Sequence, residues 1–232
     1  MNIKSIIALL TIFLFCPSPA SSKNIEGTSP DGSTRIVIET ENQVAYSVFR
    51  HGTMILNTSP ISLTVGNNIW GTDRKCLKIT SHSVSKRVNF TVPRKYKQVS
   101  NEYNQIQLTY KGYKIEFRVY NEGVAYRFIS TSHHKEPVQS EVVSFYFNQD
   151  YNSYTLLTNQ LQNWFEQNYT ISPISKLPRD SFSVAPVMVE VGKYKVLLAE
   201  ANLYNYAGMY LQPIGHAFQG IFALYPDQEV PA

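Results

Sequence analysis

Hydrophobic and polar positions alternate with period two along most of the chain, the pattern of strands that bury one face. Residues 35–39 set Ile36 and Ile38 on one face. Residues 43–49 read as the return strand, with Glu41 and Asn42 at the turn. Residues 61–65 alternate cleanly and 76–81 more weakly. The clearest run is 105–129. There Ile106 and Leu108 lead through Lys111 and Gly112 into Tyr113, Ile115, Phe117 and Val119 on one face. Asn121, Glu122 and Gly123 then reverse the chain into Val124, Tyr126 and Phe128. Gly112 and Gly123 stand where tight hairpin loops call for positive φ, which glycine adopts without steric cost. Further strands are predicted at 142–147, 153–157, 182–191, 195–200 and 216–224, with Gly192 and Lys193 as another hairpin turn.

Strands recur every 8–12 residues, and no amphipathic helix exceeds about two turns. Only 160–167 is compatible with one short helix. The expected fold is therefore all-β, a large antiparallel β-sandwich with more strands than an immunoglobulin-like one. With no internal repeat, low-complexity tract or linker, residues 21–232 are expected to form one domain. Composition agrees: 16 Tyr and 12 Phe accompany only 16% charged residues, against about 25% in an average chain.

Residues 1–20 read as a secretory signal. Lys4 supplies the positive start, residues 6–15 form an apolar run, and Ser18 to Ala20 offer small residues for cleavage. Pro17 and Pro19 stop the run well short of the roughly 20 apolar residues a spanning helix needs, so the chain is not expected to be transmembrane. Leu14, Phe15 and Cys16 resemble a lipoprotein signal, but bulky Phe15 fits poorly where a small residue belongs. Cleavage after Ala20 and export are the expectation. Cys16 leaves with the signal, so Cys76 has no disulfide partner and reads as a small packed residue. The formal net charge of +4, with no concentrated basic face, excludes a nucleic-acid binder.

Catalytic constellations are scarce. No pair among His51, His82, His133, His134 and His216 has zinc-site spacing on a helix, and a polar-loop role suits His133 and His134 better. There is no nucleophile elbow and no glycine-rich phosphate loop. Sequons at Asn57, Asn89 and Asn168 carry little weight in a Ser- and Thr-rich chain. Flat rings stack on apolar sugar faces, which makes Trp70, Trp164, Phe165 and Tyr169 candidates; Trp164, beside Glu166, Gln167 and Asn168, is the one proposed to bind substrate. Against this, most rings in an aromatic-rich sandwich fill its core. The most pointed segment is 194–211. An apolar strand, 196–199, ends on Glu200, and a polar, aromatic loop follows in which Gly208 permits a tight turn. A carboxylate there can face a ligand or a hard cation such as calcium, which takes six to eight oxygens. On residue pattern alone, a solvated loop acid or a cap for the following turn is the better reading of Glu200.

That segment, Ala199-Glu-Ala-Asn-Leu-Tyr-Asn-Tyr-Ala-Gly-Met-Tyr-Leu211, closely resembles the TEA-x-L-x-x-Y-x-G-M-Y-L stretch of the N-terminal domain of glycoside hydrolase family 97. Weaker matches follow in the family's order: Ser29-Pro-Asp-Gly32, Thr58-Ser-Pro-Ile-Ser-Leu63, Gly123-Val-Ala-Tyr-Arg-Phe128 and Trp164-Phe-Glu-Gln-Asn-Tyr-Thr170. The family groups secreted or periplasmic bacterial α-glucosidases and α-galactosidases. Each has an N-terminal super-sandwich, a (β/α)8 catalytic barrel and a small C-terminal β-domain.

The resemblance implies that Glu200 reaches into the barrel's active site and ligates calcium. It also implies that the paired carboxylates of glycoside hydrolysis lie on the barrel, beyond Ala232. This chain alone is then expected to be no enzyme, to meet an α-glucoside or α-galactoside with its barrel partner, and to act in the periplasm or outside a bacterial cell. Ala199 replaces the family's usual Thr, and Trp164-Phe165 stands where an aromatic-Glu pair is common; neither removes Glu200. Residues 226–232 fall where the linker toward the barrel would begin. Three readings stay open: a domain completing a barrel's active site, a stand-alone carbohydrate-binding module, and a structural remnant.

Overall fold

The computed structural model describes residues 24–92, 95–161, 166–204 and 206–223, and nearly all of its regular structure is antiparallel strand. The chain starts with a meander: β1 (Ile25–Thr28), β2 (Thr34–Glu39), β3 (Ala45–Arg50) and β4 (Thr53–Val65), with β5 (Asn68–Trp70) folded back on β4. A second meander follows, β6 (Lys78–Asn89), β7 (Gln98–Thr109), β8 (Tyr113–Tyr120) and β9 (Gly123–Ser130), which forms its own four-stranded sheet. The first sheet then grows beyond β4 through β10 (Val138–Tyr146), β18 (Ala217–Phe222), β17 (Met209–Ile214), β14 (Phe182–Val184) and β12 (Leu157–Thr158). A third sheet has the order β13 (Thr170–Pro173), β11 (Asn152–Thr155), β15 (Val187–Val191), β16 (Tyr194–Leu198).

One core joins the three sheets. Ile36 and Ile38 from β2, Ile115, Phe117 and Val119 from β8, and Val187 and Val189 from β15 are all completely buried within it. Each such side chain contributes on the order of 1.5–3 kcal/mol by leaving water. Across the first and second sheets, the Tyr46 ring meets Phe117 and Tyr126 at centroid distances of 6.0 and 5.7 Å. The contact is close enough that a Cβ added at Gly27 of β1 would lie 2.3 Å from Ile106 Cδ1. The sandwich expected from the alternation is thus present, formed by one large and two small antiparallel sheets.

Alternation located β2, β8 and β9 well because each turns one face to the core and leaves the other more open, whereas β3 has Ala45 to Val48 all buried and was placed by its hairpin partner β2. On β8, Tyr113 to Val119 at odd positions point inward, and the outward Glu116 is covered by Arg118 (2.7 Å) and Arg127 (3.0 Å). The distal part of the β6–β7 hairpin is exposed on both faces, so no hydrophobic period marks it, and both strands run further than the pattern showed. Residues 182–191 form two strands in different sheets rather than one. Pro186 has no N–H to give a ladder, and the chain changes sheets there. Gly112 takes φ +88°, as its loop requires, whereas Gly123 is not left-handed and pairs with Tyr120 at the start of β9. Residues 162–165 of the expected short helix lie outside the described residues, and its described flanks are not helical. The one helix among the described residues is the 3-10 turn Ile174–Lys176. No described helix is long and apolar enough to cross a membrane.

Candidate functional site

The site forms where β16 leaves the third sheet. Leu198 is the last paired residue, Ala199 and Glu200 step out of the ladder, and the chain returns to the large sheet at Met209. Among the described residues of this loop the left-handed one is Asn202, at φ +57°, with the Tyr204 N–H donating to its carbonyl at 2.9 Å. Asparagine tolerates that conformation better than most residues. Gly208, the residue expected to permit the turn, is not left-handed.

Glu200 closes the loop it opens. The Met209 backbone N–H donates to its carboxylate, 3.0 Å from Oε1 and 3.2 Å from Oε2, while the side chain stays exposed. The loop is tied down a second time by Tyr206, whose hydroxyl donates to Glu141 Oε2 at 2.7 Å. Its ring stands edge-on to Phe222, with centroids 6.1 Å apart. Glu141 lies on β10, opposite Leu63 of β4, and is half-buried. Burial raises its pKa first and the negative charge of Glu200 adds to the rise, while the Tyr206 hydrogen bond opposes both. Tyr126, partly buried against the core nearby, is also held well above the usual phenol value, chiefly by burial and then by Tyr46, Glu141 and Tyr206.

The sequence placed Glu200, Tyr206 and Met209 in one segment, and the fold does bring them together. Glu141 was missed. It lies 65 positions before Tyr206, and only the pairing of β10 within the large sheet carries it there.

The other candidates are scattered. Trp164 and Phe165 lie outside the described residues. Tyr169 is exposed. Trp70 lies flat on Tyr113 at 4.8 Å, and Tyr113 on Tyr110 at 4.8 Å, so this ring belongs to a packed stack beside the core. The five histidines and the sequon asparagines Asn57, Asn89 and Asn168 are all exposed. Cys76 is a free thiol at the margin of the core, directed toward the carbonyls of Lys78 (3.5 Å) and Thr109 (3.7 Å). Among the described residues no three His, Cys, Asp or Glu side chains cluster closely enough to hold a metal. Calcium wants six to eight oxygens, and a lone carboxylate such as Glu200 is not by itself a complete site for it.

Residues 28–226 match the glycosyl-hydrolase 97 N-terminal family. The chain belongs to that family. The retaining alpha-galactosidase of Bacteroides thetaiotaomicron is 31% identical over 250 residues, an alignment that takes in 98% of this chain and 36% of the galactosidase. Among solved structures, a family 97 enzyme from Pseudoalteromonas sp. strain K8 in complex with acarbose matches with a TM-score of 0.73 at 18% identity, over 85% of this chain and 32% of that one. A beta-arabinopyranosidase matches with a TM-score of 0.74 at 19% identity, over 88% of this chain and 36% of that one. These two similarities are of fold. This family 97 N-terminal domain spans about a third of the length of the proteins it matches.

Proposed function

We propose that this chain is the non-catalytic N-terminal domain of a family 97 glycosidase and completes the active site of a (β/α)8 barrel by lending it Glu200. The observation that carries the reading is an exposed carboxylate at a strand end, aimed by the Met209 N–H and set in a loop braced by Tyr206 and Glu141. Met209 fixes the carboxylate's orientation and leaves its remaining lone pairs toward solvent. Tyr206 holds the loop to β10, so Glu200 projects from a rigid sheet and not from a free tether. Calcium, when bound, supplies a hard positive charge for oxygen ligands. The barrel supplies the other ligands and both catalytic carboxylates. Glu141, half-buried in the sheet, serves as the anchor that Tyr206 grips.

The carbohydrate, an α-glucoside or α-galactoside, is met at the assembled site, and residues 1–20 direct export to the periplasm or beyond. The test is turnover of p-nitrophenyl α-glucoside and α-galactoside. The chain alone is expected to be inactive and to bind calcium weakly. Added to the barrel portion of the Bacteroides galactosidase, it is expected to raise calcium-dependent turnover, and Glu200→Gln is expected to abolish that gain. Turnover by the chain alone, or micromolar calcium affinity without a barrel, overturns the proposal.

A further inference from the structure

The outer face of the third sheet carries an apolar row that crosses all four of its strands. The ladders set Ile171 of β13 opposite Tyr154 of β11, Tyr154 opposite Met188 of β15, and Met188 opposite Leu197 of β16. Ser153, Val187, Val189 and Leu198, which alternate with them, are buried, so the row lies on the face turned away from the core. Ile171 and Leu197, at its two ends, are 60% and 61% exposed. A sheet face open to water ordinarily presents polar side chains. Beside the row the rule does hold, because Glu190 pairs with Lys195 and accepts the Tyr154 hydroxyl at 2.9 Å. An apolar strip rimmed by such groups is the mark of an interaction surface. The strip has a counterpart past Glu200, where Leu203 and Tyr204 are 47% and 82% exposed.

We infer that this face is where the barrel domain docks, an inference that rests on the function proposed above. Leu197 lies three residues before Glu200, and three extended residues span at most about 11 Å. Whatever receives the Glu200 carboxylate must therefore approach close to the end of the row. The relatives that share this domain carry roughly two-thirds of their length outside it, so a body large enough to cover the strip is part of their build. Glu190 and Lys195 neutralise each other beside the row, and among the described residues no cluster of cations lines the row itself, which suits an apolar protein surface better than a polyanion.

The test mixes the full chain with the barrel portion of the Bacteroides galactosidase and measures affinity by calorimetry. Leu197→Asp and Ile171→Asp are each expected to weaken binding at least about tenfold, as substitution of a buried anchor does, with melting curves unchanged because both side chains are exposed. Hydrogen–deuterium exchange of the unsubstituted chain supplies a measurement free of folding effects, and barrel-dependent protection is expected across β11, β13, β15 and β16. Equal binding by the wild type and both variants overturns the docking face and leaves the proposed function standing; absence of wild-type binding overturns both. Self-association or maltooligosaccharide binding that Leu197→Asp abolishes, without protection by the barrel, assigns the face to a second copy or to sugar and overturns the inference.

Discussion

Replacing Tyr206 by phenylalanine removes one hydroxyl and keeps the ring against Phe222, so it isolates the bond that braces the Glu200 loop to β10. A hydrogen bond to a charged group contributes about 1.5–3 kcal/mol net when well shielded and about 0.5–1.5 kcal/mol when ordinary. Tyr206 is 38% exposed, so water can take over part of the hydroxyl's role, and a loss near 1 kcal/mol is expected. In a domain of this size that lowers Tm by about 2–4 °C.

The loss must depend on pH. Burial and the Glu200 charge raise the pKa of Glu141, so its ionisation costs stability as pH climbs from the unfolded carboxylate value through the higher folded one. The Tyr206 bond offsets that cost because it favours the ionised form. The Tyr206→Phe deficit should therefore be largest near neutrality and shrink at pH values below the usual carboxylate range, where Glu141 is protonated with or without the bond. Urea melts followed by circular dichroism, in a cycle with Glu141→Gln, measure the coupling. Amide exchange at Met209 reports whether the Glu200 loop loosens. A deficit independent of pH, and additive with Glu141→Gln within about 0.3 kcal/mol, would refute the reasoning.

Two further outcomes follow from turns that hold the sandwich. Gly71 sits at φ +94°, accepts the Val44 N–H and donates to the Tyr113 hydroxyl, and an added Cβ would lie 2.9 Å from the Ile61 carbonyl oxygen; Gly71→Ala should cost about 1–3 kcal/mol in a chemical melt, and an unchanged midpoint would show that strain there is readily relieved. Asp31 accepts bonds from the Ser29 and Ser33 hydroxyls and the Ser33 N–H, which lower its pKa to about 2. Its stabilisation is present above the usual value near 3.8 and fades as pH falls through about 2, so the gap between wild type and Asp31→Asn at neutral pH should close across that interval; a gap constant from pH 6 to pH 2 would contradict the ionised-acceptor account.

Much of this protein can be read along the chain because burial imposes a period. Wherever a strand has one face in the core, as at Ile36 and Ile38 or at Ile115, Phe117 and Val119, the pattern marks both the strand and its inward residues. It fades where both faces are wet, as in the distal β6–β7 hairpin, and it cannot show a change of sheet such as the one at Pro186. Glu200 stood out because its segment is local, a strand end followed by an aromatic loop. Its surroundings did not. Glu141 comes beside it through the non-local pairing of β10, and the apolar row from Ile171 to Leu197 exists only once four separate strands fall into register. Local alternation and short motifs are written in neighbouring residues. Juxtapositions across sheets are not, since they depend on which strand pairs with which, and that is decided only when the whole core is assembled.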